Sequence, residues 1–586
     1  MINVGIIGKG YFGKKIYKTL KDKFNVVFFT ARDMDITYDI DWVVIATSTN
    51  SHYELCKQFI LEGVNVFVEK PMTLSYEHSK QLIELANKHN VKIYIDDVFK
   101  YTETFKQLSE DNLDYGNGLH FDWKKYGSFN DTIYNALTYH DIYIAISLGY
   151  NLDDTIDFKY NRVNQKSFNI GNVHFKYDRT NHKKSKTLTV VCEWGGVTYD
   201  FKTNLNPLET MFYNVFGGSA DFDENHKLTL ETHKTLDRLK ILKPKVAVVG
   251  AGIFGITSAL TLSENLDVTL FEKNDDILQN ASSINQYRLH RGYHYPRSIE
   301  TALTSKEGTN TFTAVFNECE MKDRKRQQFY AISSMGSKVS PDEYINFMDK
   351  CDLHYRVVEN DLVTSNVAEL YEVFEHLFDP SKLYDSCKRY LDNSDVDLRL
   401  GTPYNNDWNY DYVVNCTYSN LNEVFNGNDI YQFEVCEKPV VKLPSKYKNK
   451  GIVVLDGPFT CIDPYSDTDY HVIGNVVHAI HSTNVGRYPA ISGELNKLLN
   501  KGVIKNPSVT KFPLFKESLK HFFGIDEVEH IGSMFTVRTV LPNRDFDDAR
   551  PSIVKKESIG KYSVFSGKIS TAVDTSNELN QYIMKQ

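Results

Sequence analysis

A strand, a glycine turn and a helix follow one another at residue 2 and again at residue 245, and this doubled unit constrains the chain more than any other feature. The opening INVGIIGKGYFGKKIYKTL runs from an apolar strand pattern through Gly8, Gly10 and Gly13 into an amphipathic helical pattern. KVAVVGAGIFGITSALTLSENLDVTLFEKN repeats the grammar with Gly250, Gly252 and Gly255. In such a G-x-G-x-x-G turn one glycine permits the tight bend, one lets a pyrophosphate approach the backbone, and one lets the helix pack closely on the strand. The phosphates then lie on the helix N-terminus, where free N–H groups and the helix dipole favour negative charge. Tyr11 and Phe12, and Ile253 and Phe254, open the two helices and are expected to border the bound nucleotide. The expected fold class is α/β, with two Rossmann-type nucleotide-binding domains, each with an associated strand-rich α+β substrate region.

The ends of the second strands differ. Glu272 stands twenty-two residues after Gly250, and Thr30 stands twenty-two residues after Gly8. A carboxylate in that place accepts hydrogen bonds from the ribose hydroxyls, whereas a neutral residue with a nearby arginine tolerates a 2'-phosphate. Glu272, with Lys273 beside it, is therefore a nucleotide contact of the second unit. Thr30 and Arg32 lean toward NADP in the first, and Asp33 keeps NAD in play.

The change from the polar DENHKLTLETHKTLDRLKILKPK into the second fingerprint sets a boundary. The expected domains are 1–117, a nucleotide-binding unit; 118–240, a strand-rich second domain; and 241–586, the second nucleotide-binding unit with an inserted substrate sheet. The net charge of -9, with both signs interspersed, argues against nucleic acid as a partner. Runs of about 20 apolar residues are absent, so no membrane span is expected. Met1 leads directly into a strand pattern without a signal-peptide segment, which predicts a cytoplasmic setting. Eight scattered cysteines without a Cys-x-x-Cys pair indicate neither a disulfide framework nor a metal site. A small-molecule substrate is expected; homo-oligomerisation stays open.

Further along the first half stand DWVVIATSTNSHYELC and VNVFVEKPMTL. The strand ending in Ala46-Thr47, His52 after it, and Glu69-Lys70-Pro71 resemble the glucose-fructose oxidoreductase and inositol dehydrogenase family, Gfo/Idh/MocA. The resemblance implies that Ala46, Thr47, His52 and Glu69 help hold NAD or NADP. It also implies that Lys70 contacts both nicotinamide and substrate hydroxyl, where an ammonium can lower the barrier to moving a hydroxyl proton. NALTYHDIY supplies His140 as the family's acid or base, followed by Asp141. Ala136 replaces the family's aspartate, and Thr138 a common glycine.

After Glu272, ASSINQYRLHRGYHYPRSIETA gathers Ser282, Ser283, Asn285, Arg288, His290, Arg291, Tyr293, His294 and Arg297. This resembles the FAD-contacting segment of the D-amino-acid oxidase (DAO) family. By that resemblance Ser282, Ser283 and Arg288 serve the phosphates, His290 and Tyr293 line the isoalloxazine and the substrate beside it, and the C-terminal Gly567, Lys568, Ile569 and Thr571 form a glycine turn reaching the flavin. Of Arg538, Arg544 and Arg550, Arg538 is flanked by apolar residues and is expected to clamp a substrate carboxylate.

These readings combine into a bifunctional oxidoreductase, with an NAD(P)-dependent sugar-type dehydrogenase half and an FAD-dependent half acting on an amine, amino acid or amino sugar, in surface-glycan precursor metabolism. Two alternatives stand beside it: an FAD enzyme with a non-catalytic N-terminal nucleotide module, and a flavin-dependent sugar mutase.

Overall fold

The computed structural model describes residues 2–31, 39–111, 117–125, 132–193, 195–201, 206–321, 326–359, 361–457, 460–542 and 550–585. The chain divides into two units, residues 1–244 with 584–586, and residues 245–583.

In the first unit, β1 (Asn3–Ile7), β2 (Asn25–Thr30), β3 (Trp42–Ile45), β4 (Asn65–Val68) and β5 (Ile93–Ile95) form a parallel sheet in the order β2-β1-β3-β4-β5. All four residues of β3 are buried, as strands covered on both faces must be, and this is why WVVI is an unbroken apolar run. Helices α1 (Tyr11–Leu20), α2 (His52–Leu61) and α3 (Tyr76–His89) provide the crossovers. α3 starts where Ser75 accepts from the His78 N–H and stops at Asn90, whose left-handed φ of 55° lets the chain leave the helix. The strand order reverses between β1 and β3, so the crevice for a ligand opens beyond the carboxyl ends of these two strands.

Beyond α4 (Glu103–Glu110) comes a second sheet. Its strands are β6 (Leu119–Lys124), β7 (Ile156–Asn161), β8 (Gln165–Ile170), β9 (Val173–Asp178), β10 (Ser185–Cys192) and β11 (Gly195–Asp200), in the order β11-β10-β6-β9-β8-β7. The alternating burial of β9 turns Phe175 and Tyr177 onto α5 (Tyr139–Ser147). The rest of the segment expected to be strand-rich is helical: α6 (Pro207–Gly217) and α7 (Phe222–Ile241). Leu208, Met211, Phe212 and Val215 of α6 pack with Val4, Ile6, Trp42 and Phe67, so this segment returns to the first sheet. α7 reads as polar because only a stripe of it, including Leu228, Leu236 and Leu239, is buried.

The second unit repeats the parallel layout. β12 (Lys245–Val249), α8 (Ile253–Ser263) and β13 (Asp267–Phe271) carry the fingerprint. A short pair, β14 (Arg288–Leu289) with β18 (His376–Leu377), lies outside two large sheets. The remaining strands are β15 (Gln327–Ser333), β16 (Tyr355–Val357), β17 (Val367–Val373), β19 (Asp397–Arg399), β20 (Tyr412–Asn415), β21 (Tyr431–Lys442), β22 (Lys450–Leu455), β23 (Thr460–Pro464), β24 (Tyr470–Asn475), β25 (Ile480–Gly486), β26 (Glu529–Val540), β27 (Ile553–Ser558) and β28 (Lys561–Phe565). The nucleotide sheet runs β19-β13-β12-β20-β28-β27. A nine-stranded sheet runs β16-β17-β15-β22-β23-β24-β21-β25, with β26 also paired to β21. Among the described residues no helix is long and apolar enough to cross a membrane.

Candidate active sites

Each glycine of the first fingerprint meets a different constraint. At Gly8, with φ +120°, a Cβ would stand 2.2 Å from the Ala46 carbonyl oxygen; at Gly13 it would stand 1.7 Å from the Gly8 oxygen; at Gly10 nothing lies within 4 Å. Gly8 and Gly13 are thus demanded by the fold, and Gly10 leaves an open face for a pyrophosphate. Tyr11 is exposed beside it, and Phe12 packs partly into the sheet core. Thr30 O accepts from Gly8 N at 2.9 Å, which fixes the end of β2 against the turn. Arg32 and Asp33, the residues that weigh NADP against NAD, lie outside the described residues.

Thr47 Oγ1 and Ser51 Oγ stand 2.7 Å apart just past β3. The imidazole of His52, expected at the cofactor, is 1% exposed and faces Pro71 O at 3.0 Å and Thr47 O at 3.3 Å. It is a brace between the two loops, because its ring nitrogens are turned to backbone carbonyls inside the protein. Glu69 accepts from the Lys70 N–H at 2.7 Å, and burial together with the Glu69 charge raises Asp96 well above the usual carboxylate range. Lys70 Nζ donates to the carbonyls of Asn135 at 3.1 Å and Ala136 at 3.2 Å. Both lie in a π-helical turn, Tyr134–Thr138, at the entrance to α5, a widened turn in which carbonyls come free. The Lys70 ammonium is thus held by backbone, one of its acceptors being the carbonyl of Ala136, which stands where the family's aspartate is expected. His140 follows in α5, its ring 4.3 Å from that of Phe99; burial, then Lys70, Lys186 and Lys125, hold it neutral well below the usual histidine range. Lys70 thus stands near enough to His140 for its charge to act on the imidazole. Lys186, enclosed by Phe99, Trp123 and Phe201 and 2.9 Å from Asp141, is lowered to about 8 by burial.

The second unit contains a cavity of about 1710 Å³, beyond the roughly 300–1,000 Å³ of an ordinary ligand pocket. Gly250, Gly252, Ile253, Phe254, Glu272 and Lys273 line one end. A Cβ at Gly255 would stand 1.8 Å from the Gly250 oxygen, so this glycine serves helix packing. Glu272 accepts from Ala251 N at 2.7 Å and Asn274 N at 3.0 Å, and Ser282 Oγ accepts from Ile253 N at 3.1 Å. Ser283, in contrast, bonds to Asn280 O and does not line the cavity.

His290, Arg538, Gly567, Lys568 and Ile569 also line the cavity. His290 is held neutral by burial and by His294 and Arg288. Gly567 N donates to Ser552 Oγ at 3.0 Å, and Lys568 Nζ donates to Ser305 Oγ at 2.6 Å while lying 3.7 Å over the Tyr295 ring. Thr571 stands behind this turn, its Oγ1 2.7 Å from Ser552 Oγ.

Three expected ligand contacts have other partners. Arg288 is bound by Glu375 at 2.9 Å and by Asp463, a buried pairing that neutralises it. The Tyr293 ring is packed among Tyr330, Tyr344 and Phe347, its hydroxyl donating to His354 O at 2.7 Å, and it does not line the cavity. Arg538 faces the cavity but is tied to Glu434, Nε to Oε2 at 2.6 Å. Arg544 lies outside the described residues. Lys438 and Glu434, also on the cavity wall, were not singled out from the sequence; the alternation Glu434, Cys436, Lys438 within an apolar strand is the signal that marks them. Among the described residues no cluster of three or more His, Cys, Asp or Glu could hold a metal ion.

Two Rossmann-type sheets, each ending in a glycine turn fitted to a dinucleotide, define a two-cofactor oxidoreductase. Comparison with known proteins agrees: residues 18–96 match the oxidoreductase family with an NAD-binding Rossmann fold, Gfo/Idh/MocA, and residues 245–384 match the FAD dependent oxidoreductases, DAO. The chain is similar to the FAD-dependent monooxygenase FPY4 of Fusarium mangiferae, 23% identical over 346 residues covering 56% of this chain and 87% of that one. It is also similar to the 2,7-anhydro-N-acetylneuraminate hydratase of Mediterraneibacter gnavus, 26% identical over 111 residues, 15% of this chain and 30% of that protein. Of solved structures, glycine oxidase from Geobacillus kaustophilus aligns at 13% identity with a TM-score of 0.44, covering 58% of this chain and 95% of that one.

Proposed function

We propose that the chain is a bifunctional oxidoreductase in which the NAD(P) half acts on a sugar-type carbinol and the FAD half oxidises a C–N or C–OH centre of an amine, amino acid or amino sugar. The observation that carries this reading is a continuous cavity in the second unit, which joins the fingerprint residues Gly250, Gly252 and Glu272 to the β21 and β26 wall bearing Glu434, Lys438, Thr536 and Arg538. FAD bound there would take a hydride from carbon, chemistry that asks the protein mainly for orientation and electrostatics. The protein's part is to hold the nucleotide on the Gly250–Gly255 turn, present substrate from the sheet and exclude water. In the first unit Lys70 and His140 hold and receive the hydroxyl proton of the substrate.

The reading is tested by the visible spectrum of the purified protein, followed by NADPH and NADH added separately without air. A flavin spectrum supports the FAD half, and bleaching by either nucleotide supports electron exchange between the halves; absence of flavin overturns the assignment of the second unit. A second reading, an N-terminal module that binds nucleotide without catalysis, draws on Ala136 in place of the aspartate. Loss of nicotinamide-dependent turnover in Lys70→Ala would exclude it.

A further inference from the structure

β4 and β5 are parallel neighbours with Val68 beside Ile95, so the next residue of each, Glu69 and Asp96, leaves the sheet side by side at its carboxyl edge. Backbone bonds fix both: Glu69 N donates to Ile45 O at 2.9 Å, and Asp96 N to Val68 O at 3.0 Å. One oxygen of each carboxyl group has its own N–H donor, that of Lys70 for Glu69 Oε2 at 2.7 Å and that of Val98 for Asp96 Oδ1 at 2.9 Å. The two side chains also hydrogen-bond each other, and Asp96 is 1% exposed. Carboxyl groups in contact away from water keep a proton between them, because a second negative charge there is unfavourable. The same edge receives the dinucleotide. In the order β2-β1-β3-β4-β5, the ribose position at Thr30 ends β2 and the glycine turn for the pyrophosphate follows β1, so the second nucleoside extends across β3 toward β4, where Thr47, Glu69 and Lys70 stand.

We infer that Asp96 makes nucleotide binding sense the oxidation state of the nicotinamide: its proton leaves when the positively charged oxidised ring binds and stays when the neutral reduced ring does; this rests on the nicotinamide reading of the first unit. Burial, the Glu69 charge and the bond to Glu69 raise Asp96 well above the usual carboxylate range, against the Val98 N–H and Lys70. A pyridinium arriving at the carboxyl edge is a further positive charge that favours the ionised form, and a dihydropyridine brings none. By linkage, a proton released on binding makes the oxidised nucleotide bind more tightly as the pH rises, by up to about tenfold per pH unit. The other titratable groups beside Asp96 are Tyr139 of α5, which burial raises, and Asp97, whose carboxylate is bonded by Tyr94, Tyr143 and Asn225. Burial raises Asp97 to about 7, so its titration must be told apart from that of Asp96.

The test is calorimetric titration of the whole chain with NAD+ and NADP+, and with their tetrahydronicotinamide analogues, whose rings are neutral and carry no transferable hydride. Buffers of different ionisation enthalpy are used from mildly acid to mildly alkaline pH. Wild type is expected to release up to about one proton on binding the oxidised nucleotide, with affinity rising along the pH scale, and none on binding the neutral analogue. Asp96→Asn keeps a donor toward Glu69 and should bind with neither the proton release nor that pH dependence; Asp97→Asn should keep both. In infrared difference spectra of the wild type, the oxidised nucleotide should remove a protonated-carboxyl band and add a carboxylate band, a reading that does not depend on the folding of a variant. The inference is overturned if wild type binds the oxidised nucleotide without proton release or without loss of that band, or if Asp96→Asn, folded by its melting curve, releases the proton as wild type does. If neither the nucleotides nor the analogues bind, the nicotinamide reading of the first unit falls, and the inference with it.

Discussion

Arg288 lies between Glu375 and Asp463, and all three side chains are withdrawn from water. Tyr330 donates to the same Glu375 at 2.9 Å, and the Arg291 N–H to its other oxygen at 2.9 Å. Removing the cation leaves two buried carboxylates facing each other, so Arg288→Met is expected to destabilise the second unit by about 3–5 kcal/mol. Chemical denaturation followed by flavin or tryptophan fluorescence measures this, and a loss below about 1 kcal/mol would return Arg288 to a ligand-binding role. The glycines give the opposite contrast. Gly10→Ala should leave the melting temperature of the first unit nearly unchanged and weaken NAD(P)H binding, because its Cβ enters open space; Gly13→Ala should lower the melting temperature, because its Cβ meets the Gly8 oxygen at 1.7 Å. Fluorescence titration with NADH and NADPH beside a melting curve separates the two. The glycine pattern was legible in the sequence since its constraints are local. The pairing of Arg288 was not, because Glu375 and Asp463 lie 87 and 175 residues away.

Among the elements, the fingerprint strands β1 and β12 are legible as apolar runs leading into glycine turns, whereas β19 and β27 carry no such run and α7 reads as a polar boundary. Its burial is confined to a stripe, and its most telling residue is a polar one. Asn225 is 1% exposed and binds both backbone groups of Ile95, its Oδ1 accepting at 3.1 Å and its Nδ2 donating at 2.9 Å. It thereby completes β5, which would otherwise present an unpaired N–H and C=O inside the protein. Asn225→Leu keeps the volume and removes both bonds, so a loss of about 1–3 kcal/mol in the first unit is expected. Hydrogen exchange should show the Ile95 amide opening faster than in wild type; unchanged protection there would mean that water or another group takes over the pairing. The π-helical turn before α5 was equally hidden, as NALTYH has no local mark that distinguishes a widened turn from a regular helix. Its effect, the capture of Lys70 by the Asn135 and Ala136 carbonyls, depends on β4 and α5 meeting across sixty-five and sixty-six residues.

Over the whole molecule, buried titratable groups of both signs set the response to pH, and their effects oppose. In the first unit, burial raises Asp97 to about 7, so the native state gains a proton there before the unfolded chain does and is favoured as pH falls. His233 acts the other way. It is fully buried against Tyr139, neither ring nitrogen has a hydrogen-bond partner, and burial lowers it to about 3. The unfolded chain protonates this histidine near pH 6.5 while the native state does not, so its penalty is absent above about pH 6.5 and grows by roughly 1.4 kcal/mol per pH unit below it. Total stability combines both signs, but the difference between wild type and a His233 variant isolates one. His233→Leu, which also removes two unpaired ring nitrogens from an apolar site, should stabilise the first unit at pH 7 by about 1–3 kcal/mol. Its advantage should then widen as the pH is lowered from 6.5 toward 4.5, read as the change in denaturation midpoint at each pH. A difference that stays constant over that interval would mean that His233 gains its proton in the native state as readily as in the unfolded chain, and that this core admits water.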